Sequence, residues 1–276
     1  MMPASSLYQP ADIKGKVVLI TGASAGFGEA FAYRFAELGC RLVLVARRME
    51  RLQALAESLH AKYGALGCKC HPVCLDVRDI PACEALPSRL PAEFAQVDIL
   101  INNAGLALGL AGVQDNSMQN MQIMLETNVL AVMALTKAFL STSMLPRNEG
   151  HIINISSTAG QEAYPGGSGY NASKFALSGY STAARHDLVG TNIRVTVISP
   201  GAVQTEFSLV RFNGDAERAT SVYKGYNNLL AQDVADNVVY AATRPSRVQI
   251  AEITVTSVHQ SGAKYTARPF LESQQQ

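Results

Sequence analysis

The chain lacks the features that would place it in several large functional classes. Its 276 residues hold only five cysteines, an odd number, with no secretory pattern ahead of them. A disulfide framework is therefore not expected, and free thiols in a reducing, cytoplasmic setting are. Lys and Arg number 23 against 22 Asp and Glu, and no long run of either sign occurs. Such a balance gives neither nucleic acid nor an anionic membrane surface anything to bind. No uninterrupted apolar run reaches the roughly 18 residues needed to cross a bilayer. No Pro/Gly/Ser-rich linker and no internal repeat divides the chain, so one domain is expected. The first fourteen residues, with Pro3 and Pro10, and the tail Ser273–Gln276 are expected to be frayed ends.

What is present alternates. Apolar, strand-like runs fall near 16–21, 41–45, 69–75, 97–102, 150–156, 193–199 and 250–256, with helical spacing between them. That alternation implies right-handed βαβ units and a doubly wound parallel α/β sheet. Ligands of such sheets bind beyond the carboxyl ends of the strands, where the strand order reverses. Cys68, Cys70, His71 and Cys74 cluster in the third strand. Their spacing is not that of a zinc site. By alternation the three cysteines share one face and His71 takes the other. No metal is expected. Pro72 in the same strand points to a sheet edge, where a missing donor is tolerated.

Two stretches carry chemistry. The first strand runs into Thr21-Gly22-Ala23-Ser24-Ala25-Gly26-Phe27-Gly28, followed by helical spacing. A Gly-rich turn entering a helix lets backbone N–H groups approach a pyrophosphate, although the spacing G-x-x-x-G-x-G also suits a purely structural βα turn. The second stretch is Tyr170-Asn171-Ala172-Ser173-Lys174. Four residues apart on a helix, Tyr170 and Lys174 lie on one face. An ammonium near a phenol favours the phenolate, so Tyr170 is expected to have a lowered pKa and to exchange a proton with an alcohol or carbonyl oxygen. Ser157, thirteen residues earlier at a strand end, can bond the same oxygen.

These motifs occur together with Asp76-Val77, Asn102-Asn103-Ala104-Gly105, Asn128 and Pro200-Gly201. In that order the chain resembles the short-chain dehydrogenase/reductase superfamily from about Lys14 to Val258. The resemblance implies a Rossmann fold over 15–260, with sheet order 3-2-1-4-5-6-7 and a substrate lid at 207–226. An N-terminal extension (1–14) and a C-terminal tail (261–276) flank it. It implies a tetrad of Asn128, Ser157, Tyr170 and Lys174, with Asn128 holding a water that links Lys174 to solvent. The alternative for Asn128 is a polar residue that kinks its helix. Cofactor contacts are implied at Gly22, Ser24, Gly26, Phe27, Gly28, Asp76, Val77, Asn103, Ala104, Gly105, Tyr170, Lys174, Pro200, Gly201, Val203 and Thr205. Asp76 would suit the adenine amino group and Asn103 the adenine ribose region.

After the second strand stand Arg47 and Arg48, where an NAD-specific site would place an acid. Two guanidiniums beside a 2′-phosphate, each worth about 1.5–3 kcal/mol, favour NADP(H). The alternative is that they merely open a solvated helix, as Arg51 is expected to. Within the superfamily the chain is most similar to the NADP-dependent 3-hydroxy acid dehydrogenases, including serine and allo-threonine dehydrogenases. The similarity runs through Val45–Leu52, Leu90–Phe94, Asn102–Gly109 and Thr205–Phe212. Arg211 is the candidate for a substrate carboxylate; its alternative is an ion pair with Asp215 or Glu217. Gln161 stands where some relatives carry a basic residue, a departure that leaves the acid group's partner open. A homotetramer or dimer through helices near 117–144 and 169–189 is implied. The competing readings are a reductase of bulkier carbonyls and a non-catalytic NADPH-binding protein.

Overall fold

The computed structural model describes residues 9–272. β1 (Val17–Thr21), α1 (Gly26–Glu37), β2 (Arg41–Ala46), α2 (Met49–Tyr63), β3 (Lys69–Cys74), α3 (Ile80–Arg89) and β4 (Ile99–Asn102) form the first half. α4 (Met118–Leu125), α5 (Ala131–Phe139) and α6 (Leu145–Arg147) follow as one continuous helix broken by two π-helical stretches, and lead to β5 (Gly150–Ile155) and α7 (Ser168–Asp187). β6 (Ile193–Pro200), α8 (Phe207–Arg211), α9 (Ala216–Ser221), α10 (Ala231–Ala242), β7 (Glu252–Val255) and α11 (Pro269–Glu272) complete the chain. The seven strands are all parallel, in the order 3-2-1-4-5-6-7. Strand positions and order agree with the sequence reading, apart from ends that differ by one or two residues, β2 and β6 each running one residue longer.

The central strands β1, β4 and β5 are buried at every position and largely apolar because both faces are covered. Alternation sorts them into two cores. Val18, Ile20, Leu42, Leu44, Ile99 and Ile101 pack with Phe31 and Phe35 of α1 and Val234 and Val238 of α10. Val17, Leu19, Val43, Val45 and Leu100 pack on the other face with Leu86 of α3 and Leu135 and Phe139 of α5. Met118–Arg147 has the length and apolarity of a bilayer span, with a mean hydropathy of 1.5, but 61% of that window is buried in the protein. Ala131, Ala134, Leu135, Phe139 and Met144 of this stretch belong to the second core, and Met124 packs beside Tyr170.

β3 lies at the sheet edge as Pro72 indicated, paired with β2 alone. Cys68 and Cys70 share one face, their sulfurs 3.9 Å apart, while His71 stacks on Phe94 on the other. All five cysteines are free. Among the described residues, no cluster of His, Cys, Asp and Glu could hold a metal. The frayed start needs correction. Ala11 donates to the Thr243 carbonyl at 2.8 Å, and Ile13 is buried in the first core. An apolar side chain with a place in the first core outweighs the usual disorder of a terminus. Residues 1–8 and the tail Ser273–Gln276 lie outside the described residues.

Candidate active site

A cleft of about 880 Å³ opens along the carboxyl ends of the strands. It is lined by every sequence-predicted site residue except Gly28 and Asn128.

At one end of the cleft, β1 ends in the Gly-rich turn. Gly22 and Gly26 adopt positive φ, 67° and 58°, which glycine takes without strain. A Cβ at Gly22 would come within 3.0 Å of the Ala104 Cα, so the turn packs tightly on the loop after β4. Gly28 does not face the cleft. A Cβ there would sit 2.3 Å from the Gly22 carbonyl oxygen, so Gly28 lets α1 close onto the turn. The α1 N-cap, Ala25, supplies no side-chain bond, leaving the first helical N–H groups of a twelve-residue helix without a side-chain acceptor. A helix N-terminus of this kind suits a pyrophosphate. Arg47 is exposed at the rim. Arg48 is already engaged: Nε and Nη2 donate to Ser24 Oγ at 3.2 and 3.0 Å, and Nη1 pairs with Glu206 at 3.1 Å. Arg51, expected to be merely solvated, pairs with the same Glu206 carboxylate at 2.9 Å.

Asp76 is gripped by Arg78 through Nε, Nη2 and the backbone N–H, and that guanidinium holds its carboxyl below the usual range. The sequence reading missed Arg78, the residue immediately after the Asp76-Val77 motif it had found. Asn103 spends Nδ2 on the Thr21 carbonyl at 2.7 Å, stitching the end of β4 to that of β1. These residues fit a dinucleotide, with uncapped helix amides for its diphosphate and arginines at the end of β2 for a further phosphate.

The reactive groups stand at the other end of the cleft. Tyr170 and Lys174 lie one turn apart on α7, both buried. Ser157, in extended backbone just after β5, stands beside the Tyr170 phenol, and its Oγ accepts from the Ala159 N–H at 3.1 Å. The expected lowering of the Tyr170 pKa is overturned. Burial pushes the phenol above its ordinary value, and the opposing pulls of Ser157 and the Arg211 guanidinium are smaller. The Lys174 ammonium, 5.8 Å from the ring centroid, donates to the Ile155 carbonyl at 2.8 Å and does not offset that burial. Burial also lowers Lys174 itself to about 8.

Asn128 sits beneath the cleft in the π-helical stretch Glu126–Leu130, so the helix widens where the kink was considered. Its Oδ1 accepts from the Leu106 N–H, and its Nδ2 donates to the Leu106 carbonyl and to Ser173 Oγ, all at 2.9 Å. The side chain thereby pins the loop after β4 against α7.

The segment expected to be a lid borders this end. Residues 207–226 form α8 and α9, joined through Asn213 and Gly214 at positive φ. Phe207 lies 5.6 Å from the Tyr170 ring. Arg211 forms no ion pair with Asp215 or Glu217. Its Nε donates to the Gly109 carbonyl at 3.2 Å and its Nη1 to the Tyr164 hydroxyl at 2.9 Å, while Nη2 is buried without a partner. An unpartnered buried donor on a cation is costly unless a ligand meets it. Gln161 turns away to Glu252 and Thr254 and does not line the cleft. Tyr164, Gln260, Lys264 and the leucines at 106, 108 and 110 also line it. Leu106 and Leu108 fall within the Asn102–Gly109 stretch, whereas Tyr164, Leu110, Gln260 and Lys264 belong to no motif and only their loops' convergence reveals them. The segment after β7 backs the lid, with Arg268 donating to the Ser221, Val222 and Lys224 carbonyls.

Comparison with known proteins agrees with this geometry. Residues 16–214 match the family model described as short chain dehydrogenase. An NADP-dependent 3-hydroxy acid dehydrogenase of Schizosaccharomyces pombe is 41% identical over 93% of this chain and 98% of its own. A sulfoacetaldehyde reductase of Chromohalobacter salexigens is 40% identical over 90% of this chain and 96% of its own. A solved structure of serine dehydrogenase, in its closed form with NADP+, is 41% identical, with a TM-score of 0.84 over 91% of this chain and 98% of that one. Sheet order, Gly-rich turn, Ser–Tyr–Lys geometry and sequence agree, and the chain belongs to the short-chain dehydrogenase family.

Proposed function

We propose that the protein is an NADP(H)-dependent oxidoreductase that interconverts a hydroxyl and a carbonyl on small 3-hydroxy acids, such as serine, allo-threonine or 3-hydroxypropionate. The observation that carries the acid substrate is the buried, unpartnered Nη2 of Arg211, on a guanidinium 5.9 Å from the Tyr170 ring centroid. A cation held there selects a substrate with an anionic group a few bonds from the reacting carbon. The relatives' names support this reading, one being a 3-hydroxy acid dehydrogenase and another a reductase of an acidic aldehyde.

The bound cofactor supplies or accepts hydride. Ser157 holds the substrate oxygen and polarises it. Tyr170, kept protonated by burial, donates to that oxygen in reduction and takes its proton in oxidation. Lys174, one turn along α7, favours the phenolate electrostatically when Tyr170 has given up its proton. Asn128 keeps the loop after β4 and α7 in register, so that Gly105 lies close to the Lys174 ammonium. Arg47 and Arg48 would hold the 2′-phosphate, and the Gly22–Gly28 turn the diphosphate. Phe207 and the lid shield the reacting groups from water. Residues 15–260 work as one domain, and the segment beyond 260 supports the lid. Exposed apolar residues on α4 and α7, among them Met118, Leu125 and Phe175, support a homotetramer. The five free thiols support a cytoplasmic enzyme.

The test is NADP(H) absorbance with L-serine, 3-hydroxypropionate and an aromatic ketone. Turnover confined to the hydroxy acids supports the proposal. Preference for the aromatic ketone supports the carbonyl-reductase reading instead, and no turnover of any substrate by protein that binds NADPH supports the non-catalytic one.

A further inference from the structure

We infer that Glu206 is a built-in competitor for the cofactor's 2′-phosphate: its carboxylate occupies Arg48 until the phosphate arrives, and the exchange is felt by the lid helix that Glu206 begins. The inference rests on the reading of the cleft as an NADP(H) site.

Glu206 holds two arginines with its two oxygens, Oε2 on Arg48 Nη1 at 3.1 Å and Oε1 on Arg51 Nη1 at 2.9 Å. Arg48 and Arg51 are three residues apart at the start of α2 and so share a face. An anion presenting separate oxygens to two guanidiniums is what a phosphate monoester also does. Arg51 first and Arg48 next hold the Glu206 carboxyl below its ordinary value, so it remains charged at neutral pH. A carboxylate and a phosphate dianion on one guanidinium repel each other, and the more highly charged group takes it. The Arg48–Glu206 pair is open to solvent, with side chains 39% and 46% exposed. Such a pair is weakly held and readily exchanged. Arg48 keeps its two bonds to Ser24. Arg51 gives the displaced carboxylate a second partner.

The connection to the lid is covalent. Glu206 is the N-cap of α8, and its carbonyl accepts the Val210 N–H at 3.0 Å. Arg211, at the other end of this short helix, holds Gly109 and Tyr164 at the substrate end. One helix therefore touches the phosphate arginines with its first residue and the substrate cation site with its last. Glu206 acts through Arg48 and is a positioning residue.

Two measurements test this. Titration of NADPH and NADH against wild type and Glu206→Gln, followed by ligand fluorescence, reads the competition. The expected result is NADPH bound about 3- to 10-fold tighter by the variant, with NADH unchanged. NADPH affinity unchanged or weakened while NADH binding is intact overturns the inference. The second measurement uses wild type alone, so it stands even where the variant fails to fold. Hydrogen exchange at the Val210 and Phe212 amides is compared with saturating adenosine 2′,5′-bisphosphate and with 5′-AMP. Faster exchange with the bisphosphate is expected, because α8 loses one anchor. Equal or slower exchange means that the phosphate leaves Glu206 in place and overturns the coupling. If wild type binds NADPH no better than NADH, the cofactor reading itself has failed, a result separate from either of these.

Discussion

Replacing Arg211 by alanine gives the sharpest check on what the pocket recognises. In the structure the guanidinium spends Nε on the Gly109 carbonyl and Nη1 on the Tyr164 hydroxyl, and keeps Nη2 buried and free. The first two bonds hold α8 whatever the substrate. On the proposed reading, the third donor and the charge are left for an anionic substrate. A charge-assisted hydrogen bond is worth about 1.5–3 kcal/mol, or about 10- to 150-fold in binding. The assay compares kcat/KM for 3-hydroxypropionate with that for 1,3-propanediol, which has the same carbon skeleton without the charge. Loosening of the lid lowers both values, so the ratio isolates the acid group. Arg211→Ala is expected to lower the ratio by about 10- to 150-fold. Arg211 also pulls the Tyr170 pKa down. Its loss should therefore move the pH profile for oxidation upward by the same amount for both substrates. An unchanged ratio would show that Arg211 supports the lid and does not read the acid, and the hydroxy acid proposal would lose its main support.

Four further outcomes are expected. Tyr170→Phe removes the proton donor and should cost about 10²–10⁴ in turnover while NADPH binding persists; near-normal turnover would refute the proton-transfer assignment. Arg47→Ala should weaken NADPH about 10- to 150-fold and leave NADH nearly untouched, as read by titration; equal losses would remove Arg47 from the phosphate. Gly28→Ala would place a Cβ 2.3 Å from the Gly22 carbonyl oxygen; a stability loss of about 1–3 kcal/mol in urea unfolding and weaker binding of both cofactors should follow, and a variant with normal stability would contradict the close packing of α1 on the turn. Lys174 is lowered to about 8 by burial. Between that value and about 10.5 the folded protein binds fewer protons at this group than the unfolded chain does, so its contribution to stability rises with pH. The buried thiols Cys40 and Cys83, pushed up to about 12 and about 11, act in the opposite sense above pH 9. The test is therefore the difference between wild type and Lys174→Met, both cofactor-free. Wild type should gain about 2 kcal/mol on the variant from pH 8 to 9.5, and a flat difference would show that Lys174 is not held neutral.

The sheet and its order were legible in the sequence because they depend on local periodicity. Strands buried on both faces are largely apolar, so the runs around Val17–Thr21 and Ile99–Asn102 announced themselves. Pro72 marked the edge strand through a missing N–H, a property of one residue. The Gly-rich turn and the Tyr170–Lys174 spacing were legible for the same reason, since their geometry is set within a few residues. Glycine at positive φ and an i,i+4 pair on a helix need no tertiary information.

What only the tertiary structure decided lies between segments far apart in the chain. Tyr164, Arg211 and Gly109 share no motif, and their hydrogen bonds exist because the loop after β4, the loop after β5 and the lid converge at one end of the sheet. Glu206 lies more than 150 residues from Arg48 and Arg51, and no pattern of spacing records their pairing. The electrostatics of the tetrad also escaped the sequence. Proximity of Lys174 to Tyr170 suggested a lowered phenol pKa, but the sign depends on how much water each group keeps. Desolvation is a property of everything packed around a site, and here it outweighs the attraction that four residues of helix imply. The bound start at Ala11 and Ile13 has the same origin, because its partners at Thr243 and in the first core are supplied by distant parts of the chain.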